Sequence, residues 1–199
     1  MTPSDAQRRI AAAALEAFAE RGYNGTTTSA IAREAGVAEG TIFRYYATKK
    51  DLLIGVVAPV VAQVLAPVVR RNLEGVLSAS HATPEALMRA ILADRLALVR
   101  AHPTVMRVLA QEIPIHAELR DQFRAAVFDK LFPLALAAIE RFQREGQINP
   151  TLAPTTVARI IGSTFAGYII ARVFLAPDAA WDDAREVDAM IHVLTRGLQ

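Results

Sequence analysis

A short segment of this chain carries side chains that could bind a nucleic acid. The segment starts at Glu39, and helical spacing puts its positions 40, 41, 44 and 45 on one face. That face holds a glycine, which allows close approach, followed by three hydrogen-bond donors: Gly40, Thr41, Arg44 and Tyr45. It suits a DNA groove, where base edges accept hydrogen bonds. Lys49 and Lys50 follow, where two ammonium groups could meet a phosphate backbone.

The residues around this face predict the helices that would position it. Thr27 can cap a preceding helix, and Gly36 can end that helix in the left-handed conformation. The core of this small unit would receive the apolar residues of both helices: Ile31, Ala32, Ala35, Ile42, Phe43 and Tyr46. Thr48 with Asp51 forms the pattern of a capping box for the next helix. These signals for helix starts and ends predict a helix-turn-helix at about residues 27–46.

The residues from Gly22 to Leu52 follow the pattern G-Y-x-x-T-T-x-x-x-I-A-x-x-A-G-V-x-x-G-T-I-F-x-Y-Y-x-x-K-x-x-L. This pattern resembles the DNA-binding domain of the TetR family of bacterial transcriptional regulators. The resemblance implies a homodimer that binds a palindromic operator in double-stranded DNA through its third helix. It also implies a repressor that a small-molecule effector releases from the operator.

The resemblance also implies roles for individual residues. Phosphates would be contacted by Thr27, Ser29, Tyr45 and Lys49. Base edges would be faced by Gly40, Thr41 and Arg44. This chain departs from many relatives in having Ala38, and no serine, before the recognition helix. That helix therefore lacks the usual hydroxyl cap.

Composition limits the kind of protein. The 199 residues include no cysteine, which excludes disulfides and thiolate chemistry and is typical of a reducing cytoplasm. The net charge is +2 despite 22 lysines and arginines, so DNA affinity must come from a few placed groups and from dimerisation. The N-terminal sequence has no signal-peptide pattern, and we expect a cytoplasmic protein.

One apolar segment favours a different class of protein. Residues 52–69 carry no charge and lie between lysines and arginines, as a membrane span would. Against a span stand Gln63, Pro59, Pro67 and the adjoining DNA-binding motif. An apolar helix is equally typical of a protein core, and we expect no membrane. A membrane-associated helical protein anchored through residues 52–69 is the alternative.

The rest of the chain predicts an all-α fold. An N-terminal helix begins at Ser4 or Asp5, and the fourth helix, from Lys49, is expected to kink at its prolines. Residues 72–83 lose the helical period and predict a loop. Further helices are expected from Thr83, up to Glu112, over about 116–144 with an interruption at Pro133, over 155–175 and over 182–198. We divide the chain into a DNA-binding domain, 1–48, and a helical effector-binding and dimerisation domain, 49–199.

The C-terminal helices carry the candidate residues for effector binding and dimerisation. An apolar cavity could be lined by Met106, Phe123, Phe128, Phe165 and Tyr168. Polar groups that could orient an effector are Arg95, Gln111, Glu112 and Arg172. A four-helix bundle between two protomers would use Phe165, Tyr168, Ile169, Met190, Ile191 and Leu194.

Other chemistry has little support in the sequence. The histidines, His81, His102, His116 and His192, are too scattered for a metal site, and we expect each at the surface or in a helix cap. No nucleophile motif or phosphate-binding glycine loop is present. We therefore expect no metal, no cofactor and no catalytic residue, and a helical enzyme is the weaker alternative.

Overall fold

The computed structural model describes residues 4–198, which are helical with no β-strand. The first helices are α1 (Asp5–Gly25), α2 (Thr28–Ala35), α3 (Glu39–Tyr45), α4 (Lys49–Val60), α5 (Ala66–Ser78), α6 (Pro84–Ala101) and α7 (Pro103–Glu112). The remaining helices are α8 (Ala117–Phe123), α9 (Asp129–Arg144), α10 (Pro154–Ile170) and α11 (Asp183–Leu198). The all-α prediction is confirmed, with an N-terminal helix-turn-helix followed by further helices.

Several helices begin and end at the predicted residues. Ser4 and Gln7 form a capping box at the start of α1, and Thr48 and Asp51 form another at the start of α4. The hydroxyl of Thr27 accepts a hydrogen bond from Ala30 N–H, and Gly36 closes α2 at φ 62°. These bonds satisfy backbone groups that helix ends leave open, which is why the helix-turn-helix could be placed from sequence.

Three segments are π-helical: Val61–Leu65, Arg124–Phe128 and Ala171–Leu175. Each is followed within a few residues by a proline, at Pro67, Pro133 and Pro177. Proline removes an amide donor, and wider hydrogen-bonded turns re-pair the carbonyls nearby. A π-helical turn, Val61–Leu65, lies between Pro59 and Pro67, and the kink expected at these prolines stays a prediction. The interruption expected at Pro133 is wrong, because α9 continues through that residue and the irregular turn precedes it.

The predicted loop over residues 72–83 is wrong for its first part, because α5 continues to Ser78. The His81 ring nitrogen Nε2 lies 2.8 Å from the carbonyl oxygen of Val76 in the last turn. This bond satisfies a carbonyl that the helix itself leaves open. The histidine was expected at the surface or in a cap, and it does cap this helix.

The chain forms two compact units. Unit 1 contains residues up to 67 and residues 102–126, and unit 2 contains residues 68–101 and 127 onwards. Unit 1 buries an apolar core that includes Ile10, Phe18, Ile31, Ile42, Leu52, Leu53, Val57, Val108 and Leu119. This packing division does not test the functional division at residues 48 and 49, which stays a prediction.

Unit 2 has two apolar clusters. One contains Leu77, Leu87, Ala138, Ile139, Phe142, Ile148, Val157 and Leu198. The other contains Met88, Leu92, Leu96, Phe165, Ile191 and Leu194. Met88, Leu92 and Leu96 of α6 therefore pack against residues of α10 and α11.

Two helical runs are long and apolar enough to cross a membrane by length and composition, Lys49–Ser78 and Pro154–Leu175. In the first, Leu52, Leu53, Val56 and Val57 are buried inside unit 1. The segment proposed as an anchor therefore contributes to the protein's own core, which favours the other explanation of its apolarity.

Candidate DNA-binding surface

The recognition helix α3 is fastened to α2 by polar contacts. Ala38 provides no side-chain cap, as expected from its methyl group. Glu39 instead puts a carboxylate in the first turn, where the helix dipole favours negative charge. The Thr28 hydroxyl donates a 2.6 Å hydrogen bond to Glu39 Oε1. This bond links the start of α2 to the start of α3.

The predicted base-facing residues are accessible. Gly40 and Arg44 are exposed and Thr41 is half-buried. A Cβ atom added to Gly40 would meet no atom within 4 Å, so this chain's own packing does not require glycine there. The bare backbone leaves room for an external partner to approach closely.

The predicted phosphate contacts also lie at or near the surface. Thr27 and Ser29 are exposed, and their hydroxyl oxygens lie 3.1 Å apart. Tyr45 and Lys49 are half-buried. Lys50, in contrast, forms an ion pair with Glu118, and this hydrogen bond raises the pKa of the lysine. Of the two adjacent ammonium groups, only that of Lys50 is paired with a carboxylate in this way.

Tyr45 connects α3 to the start of α1. Its hydroxyl oxygen lies 3.0 Å from the Ser4 hydroxyl and accepts a 3.1 Å hydrogen bond from Arg44 Nη2. The Arg44 guanidinium also lies 4.9 Å from the centre of the Tyr45 ring. The hydrogen bond with Ser4, and then that from Arg44, lower the pKa of Tyr45. The sequence identified Ser4 only as a helix cap, since nothing local predicts a contact across this distance in the chain.

Phe43 is a correction to the sequence prediction. It was assigned to the core with Ile42 and Tyr46, but its side chain is 47% exposed while Ile42 is fully buried. Successive residues of a helix differ by about 100° in direction, and α3 is a short helix that buries only a narrow stripe. Phe43 therefore adds an exposed apolar ring to the recognition helix.

His116 stands at the N-cap position of α8, as expected of a histidine in a helix cap, but its side chain makes no capping hydrogen bond. Its imidazole packs edge-on against the Tyr23 ring, with centroids 4.8 Å apart. Its Nε2 lies 3.3 Å from Oε2 of Glu112, a residue that is itself buried. Among the described residues, no group of three or more histidine, cysteine, aspartate or glutamate side chains could hold a metal ion.

The predicted effector-binding residues are divided between the two units. Met106 and Phe123 belong to unit 1, and Phe128, Phe165 and Tyr168 belong to unit 2. Phe165 is buried, while Phe128 is 49% exposed and stacks on Phe132 at 4.7 Å. A cavity of about 220 Å³ in unit 1 is lined by none of these five residues. Their role in effector binding stays a prediction.

Three of the four polar residues proposed to orient an effector, Arg95, Glu112 and Arg172, have partners inside the chain. Arg95 pairs with Asp94, and Glu112 accepts a hydrogen bond from the Tyr23 amide. Gln111 is exposed and lies at the edge of the unit 1 cavity. Arg172 donates to Asp183 from its Nε at 3.0 Å.

Asp183 is the centre of a polar group at the α10–α11 junction, the Asp183 cluster of Arg100, Tyr168, Arg172 and Asp183. The Tyr168 hydroxyl donates to Asp183 Oδ1 at 2.7 Å, and Arg100 Nη2 donates to Oδ2 at 2.9 Å. The hydrogen bond from Tyr168 is the main cause that lowers the pKa of Asp183. Burial, with this bond, raises the pKa of Tyr168. Trp181 packs edge-on against Tyr168 at 5.8 Å.

The residues predicted for the dimer interface lie in or beside the second apolar cluster of unit 2. Phe165, Ile191 and Leu194 are buried there, and Tyr168, Ile169 and Met190 are partly buried against them. The first three have little surface left for a second chain. The interface at these residues stays a prediction, and the outer sides of the same helices offer more exposed surface.

Residues 10–56 match the sequence profile described as "Bacterial regulatory proteins, tetR family". The chain is 50% identical over 46 residues to the fatty acid metabolism regulator protein of Bacillus subtilis (strain 168). It is 45% identical over 47 residues to the HTH-type transcriptional regulator HbdR of Aromatoleum sp. (strain CIB). These matches span only 24% and 20% of the length of the two relatives, and 23% and 24% of this chain.

Solved structures share the fold over nearly the whole chain. FadR from Bacillus subtilis, solved with stearoyl-CoA, has a TM-score of 0.68 at 21% identity and covers 96% of this chain and 99% of its own. KstR2, the ketosteroid transcriptional regulator of Mycobacterium tuberculosis, has a TM-score of 0.66 at 18% identity and covers 100% and 97%. The chain therefore carries the DNA-binding domain profile of the TetR family over residues 10–56, and over nearly its whole length it has the fold of solved transcriptional regulators.

Proposed function

We propose that this protein is a homodimeric repressor that binds a palindromic operator and leaves it when a small molecule binds. The observation that carries the proposal is the α2–α3 pair, linked through Thr28 and Glu39, which presents Gly40, Thr41 and Arg44 on an accessible face. Base edges in the major groove accept hydrogen bonds from such a helix, and Thr27, Ser29, Tyr45 and Lys49 would reach phosphates. Phe43 would add an apolar contact to a thymine methyl or a sugar.

The experiment selects bound fragments from the source genome and then compares the selected operator with a random duplex. Arg44→Ala should weaken operator binding by about 1–3 kcal/mol and reduce sequence preference. Arg144→Ala changes an exposed arginine near the end of α9 and is the matched control. Unchanged sequence preference in Arg44→Ala would remove Arg44 from base recognition.

Dimerisation in this proposal uses the outer faces of α10 and α11. Only 11% of the apolar stretch in Pro154–Leu175 is buried inside the chain. Its exposed stripe includes Ile160, Ser163, Ala166, Gly167 and Ile170, small and apolar enough for another helix to pack closely. A second copy would cover this stripe and complete the burial of Tyr168, Ile169 and Met190. Two recognition helices would then contact successive half-sites about 34–36 Å apart.

The effector in this proposal is an apolar small molecule bound in the helical C-terminal part. Met106, Phe123, Phe128, Phe165 and Tyr168 are the candidate contacts. Stearoyl-CoA is the first probe, because a regulator of the same fold has been solved with it. Release of a fluorescent operator duplex by stearoyl-CoA, but not by coenzyme A, supports an acyl effector. Operator release by neither compound removes this effector class and leaves DNA binding untouched.

The same proposal places the protein in the cytoplasm with no enzymatic role. Burial of Leu52, Leu53, Val56 and Val57 supports a soluble protein over an anchor at residues 52–69. Extraction of the expressed protein without detergent tests this point. Recovery only in the membrane fraction would favour the anchor.

A further inference from the structure

Helix α1 changes direction at Gly22, and the break leaves an amide that another helix satisfies. Gly22 has φ 69° and ψ 170°, which no helix contains and which glycine adopts freely. The next amide, Tyr23 N–H, donates a 2.9 Å hydrogen bond to Glu112 Oε1 at the end of α7. The Glu112 side chain is only 3% exposed. A buried carboxylate needs such partners, and this bond supplies one.

The second carboxylate oxygen of Glu112 faces His116, whose ring is also packed against Tyr23. Glu112 Oε2 lies 3.3 Å from His116 Nε2. The His116 and Tyr23 ring centroids are 4.8 Å apart with the planes inclined at 73°. Both the backbone and the ring of Tyr23 are therefore held by the segment that joins α7 to α8.

The Tyr23 ring in turn contacts the first residue of α4. Lys49 Nζ lies 4.2 Å from the centre of the ring, a cation–π geometry. Lys49 is half-buried, and the capping box of Thr48 and Asp51 fixes the backbone on which it stands. An ammonium group has three donors, so one resting on a ring can still donate to a phosphate. Because the ring already restricts the long Lys49 side chain, less conformational entropy is lost when its ammonium group binds a phosphate.

We infer that Tyr23 is a positioning residue for the phosphate contact of Lys49, and that Glu112 and His116 hold Tyr23 in place for it. The inference rests on the proposed contact between Lys49 and DNA and goes beyond it. Through Tyr23, the segment between α7 and α8 would influence the affinity of the helix-turn-helix for DNA. This influence is separate from the helical connection through α4. A ring that serves only to fill the core would change protein stability without changing the number of phosphates neutralised.

The dependence of operator affinity on salt distinguishes these roles. Each phosphate contact adds about one to the slope of log affinity against log salt concentration. Lys49→Met should lower the slope by about one per protomer. Tyr23→Leu removes the ring and should lower the slope towards the same value, with about two- to fivefold weaker binding, the range of a cation–π contact near the surface. Tyr23→Phe keeps the ring and should retain the wild-type salt slope and the wild-type operator affinity.

The double variant Tyr23→Leu with Lys49→Met completes the test. It should bind no more weakly than Lys49→Met, since both changes remove the same contact. If Lys49→Met leaves the slope unchanged, the proposed phosphate contact is wrong. If Lys49→Met lowers the slope but Tyr23→Leu does not, or if Tyr23→Leu strengthens binding, the positioning role is wrong and the phosphate contact stands.

The part played by Glu112 is tested with a matched pair of variants. Glu112→Gln retains an oxygen that accepts from Tyr23 N–H, whereas Glu112→Ala leaves that amide unpaired. Operator binding and the salt slope are measured for the folded fraction, confirmed by circular dichroism. Glu112→Ala should reproduce the lower slope of Tyr23→Leu, and Glu112→Gln should keep the wild-type slope. Equal slopes in all three proteins would exclude Glu112 from positioning the ring.

Discussion

The two most apolar helical runs of the protein have opposite relations to its interior. In Lys49–Ser78, 47% of the apolar stretch is buried, and in Pro154–Leu175 only 11% is buried. Both runs contain a π-helical segment, Val61–Leu65 in the first and Ala171–Leu175 in the second. The first packs in the protein's own core, whereas the second has an exposed stripe that extends along α10.

The difference shows that an apolar stretch of sequence does not by itself predict packing in the chain's own core. Exposed apolar stripes on a helix favour association, because about 25 cal/mol is gained for each Å² of apolar surface removed from water. Residues 52–69 first suggested a membrane, yet they build the core. The α10 stripe lies on the helix whose inner side was expected to form the dimer.

The largest expected effect comes from a charge on the exposed stripe of α10. Ala166→Glu would place a carboxylate at the proposed contact with a second copy, where an unpaired buried charge costs about 3–5 kcal/mol. We expect a folded monomer by light scattering and much weaker operator binding. Ala110→Glu, on an exposed position of α7, is the control and should remain dimeric. A stable Ala166→Glu dimer would mean that the stripe is not the interface.

The next largest effect is expected in the buried run, Lys49–Ser78. Leu53 is fully buried in unit 1, so Leu53→Ala should lower the free energy of unfolding by about 2–5 kcal/mol. Leu175 is 76% exposed at the end of the π segment after α10, and Leu175→Ala should change it by less than about 0.5 kcal/mol. Denaturant unfolding at one protein concentration measures both. Similar losses would show that residue 175 is covered by another chain.

A smaller effect comes from the Asp183 cluster, which fastens the end of α10. The folded pKa of Asp183 is lowered, chiefly by the Tyr168 hydrogen bond, with Arg172 and Arg100 adding to it. A lowered carboxyl pKa stabilises the fold above the unfolded pKa, and this contribution is lost as pH falls through the folded pKa. Below about pH 5, the free energy of unfolding of the wild type should therefore fall as Asp183 is protonated. Asp183→Asn has no such carboxylate, so its free energy of unfolding should fall less steeply over the same range.

The size of this difference should not exceed about 1 kcal/mol, because the cluster is partly exposed and water screens it. Thermal unfolding of both proteins between pH 7 and pH 3 gives the comparison. Asp182→Asn, one residue earlier, is the control. A parallel pH profile for the wild type and Asp183→Asn would exclude a contribution from this carboxylate.

The smallest expected effect is at the end of the buried run. His81→Ala removes the bond to the Val76 carbonyl and should cost about 0.5–1.5 kcal/mol, the net value of one hydrogen bond. Ser80→Ala changes an exposed neighbour and should cost less. Equal melting temperatures for the wild type and His81→Ala would show that water replaces the histidine at no loss.

Local chemistry explains which parts of the fold could be predicted. Thr27, Gly36, Thr48 and Asp51 determine helix ends through bonds to backbone groups within a few residues, so their roles follow from sequence. The error at residues 72–78 has the opposite cause. That end of α5 is stabilised by Leu77 in the core and by His81, which a loss of periodicity could not show.

The same distinction between local spacing and distant contacts applies to the candidate site. Gly40, Thr41 and Arg44 lie on an accessible face because helical spacing alone orients them, and their contact with base edges stays a prediction. Phe43 was misplaced because the width of the buried stripe depends on what covers α3. The contacts of Tyr23 with Glu112 and His116 join residues far apart in the sequence, and no spacing rule connects them.

Trp181 gives the Asp183 cluster an optical property. It is the single tryptophan among the 199 residues, it packs on Tyr168, and its indole donates to the Ala176 carbonyl at 2.8 Å. The intrinsic tryptophan fluorescence of the protein therefore originates at one place, the connection between α10 and α11. A shift of that emission on adding a compound locates a rearrangement there without a label, and the absence of cysteine leaves thiol dyes free for a second position.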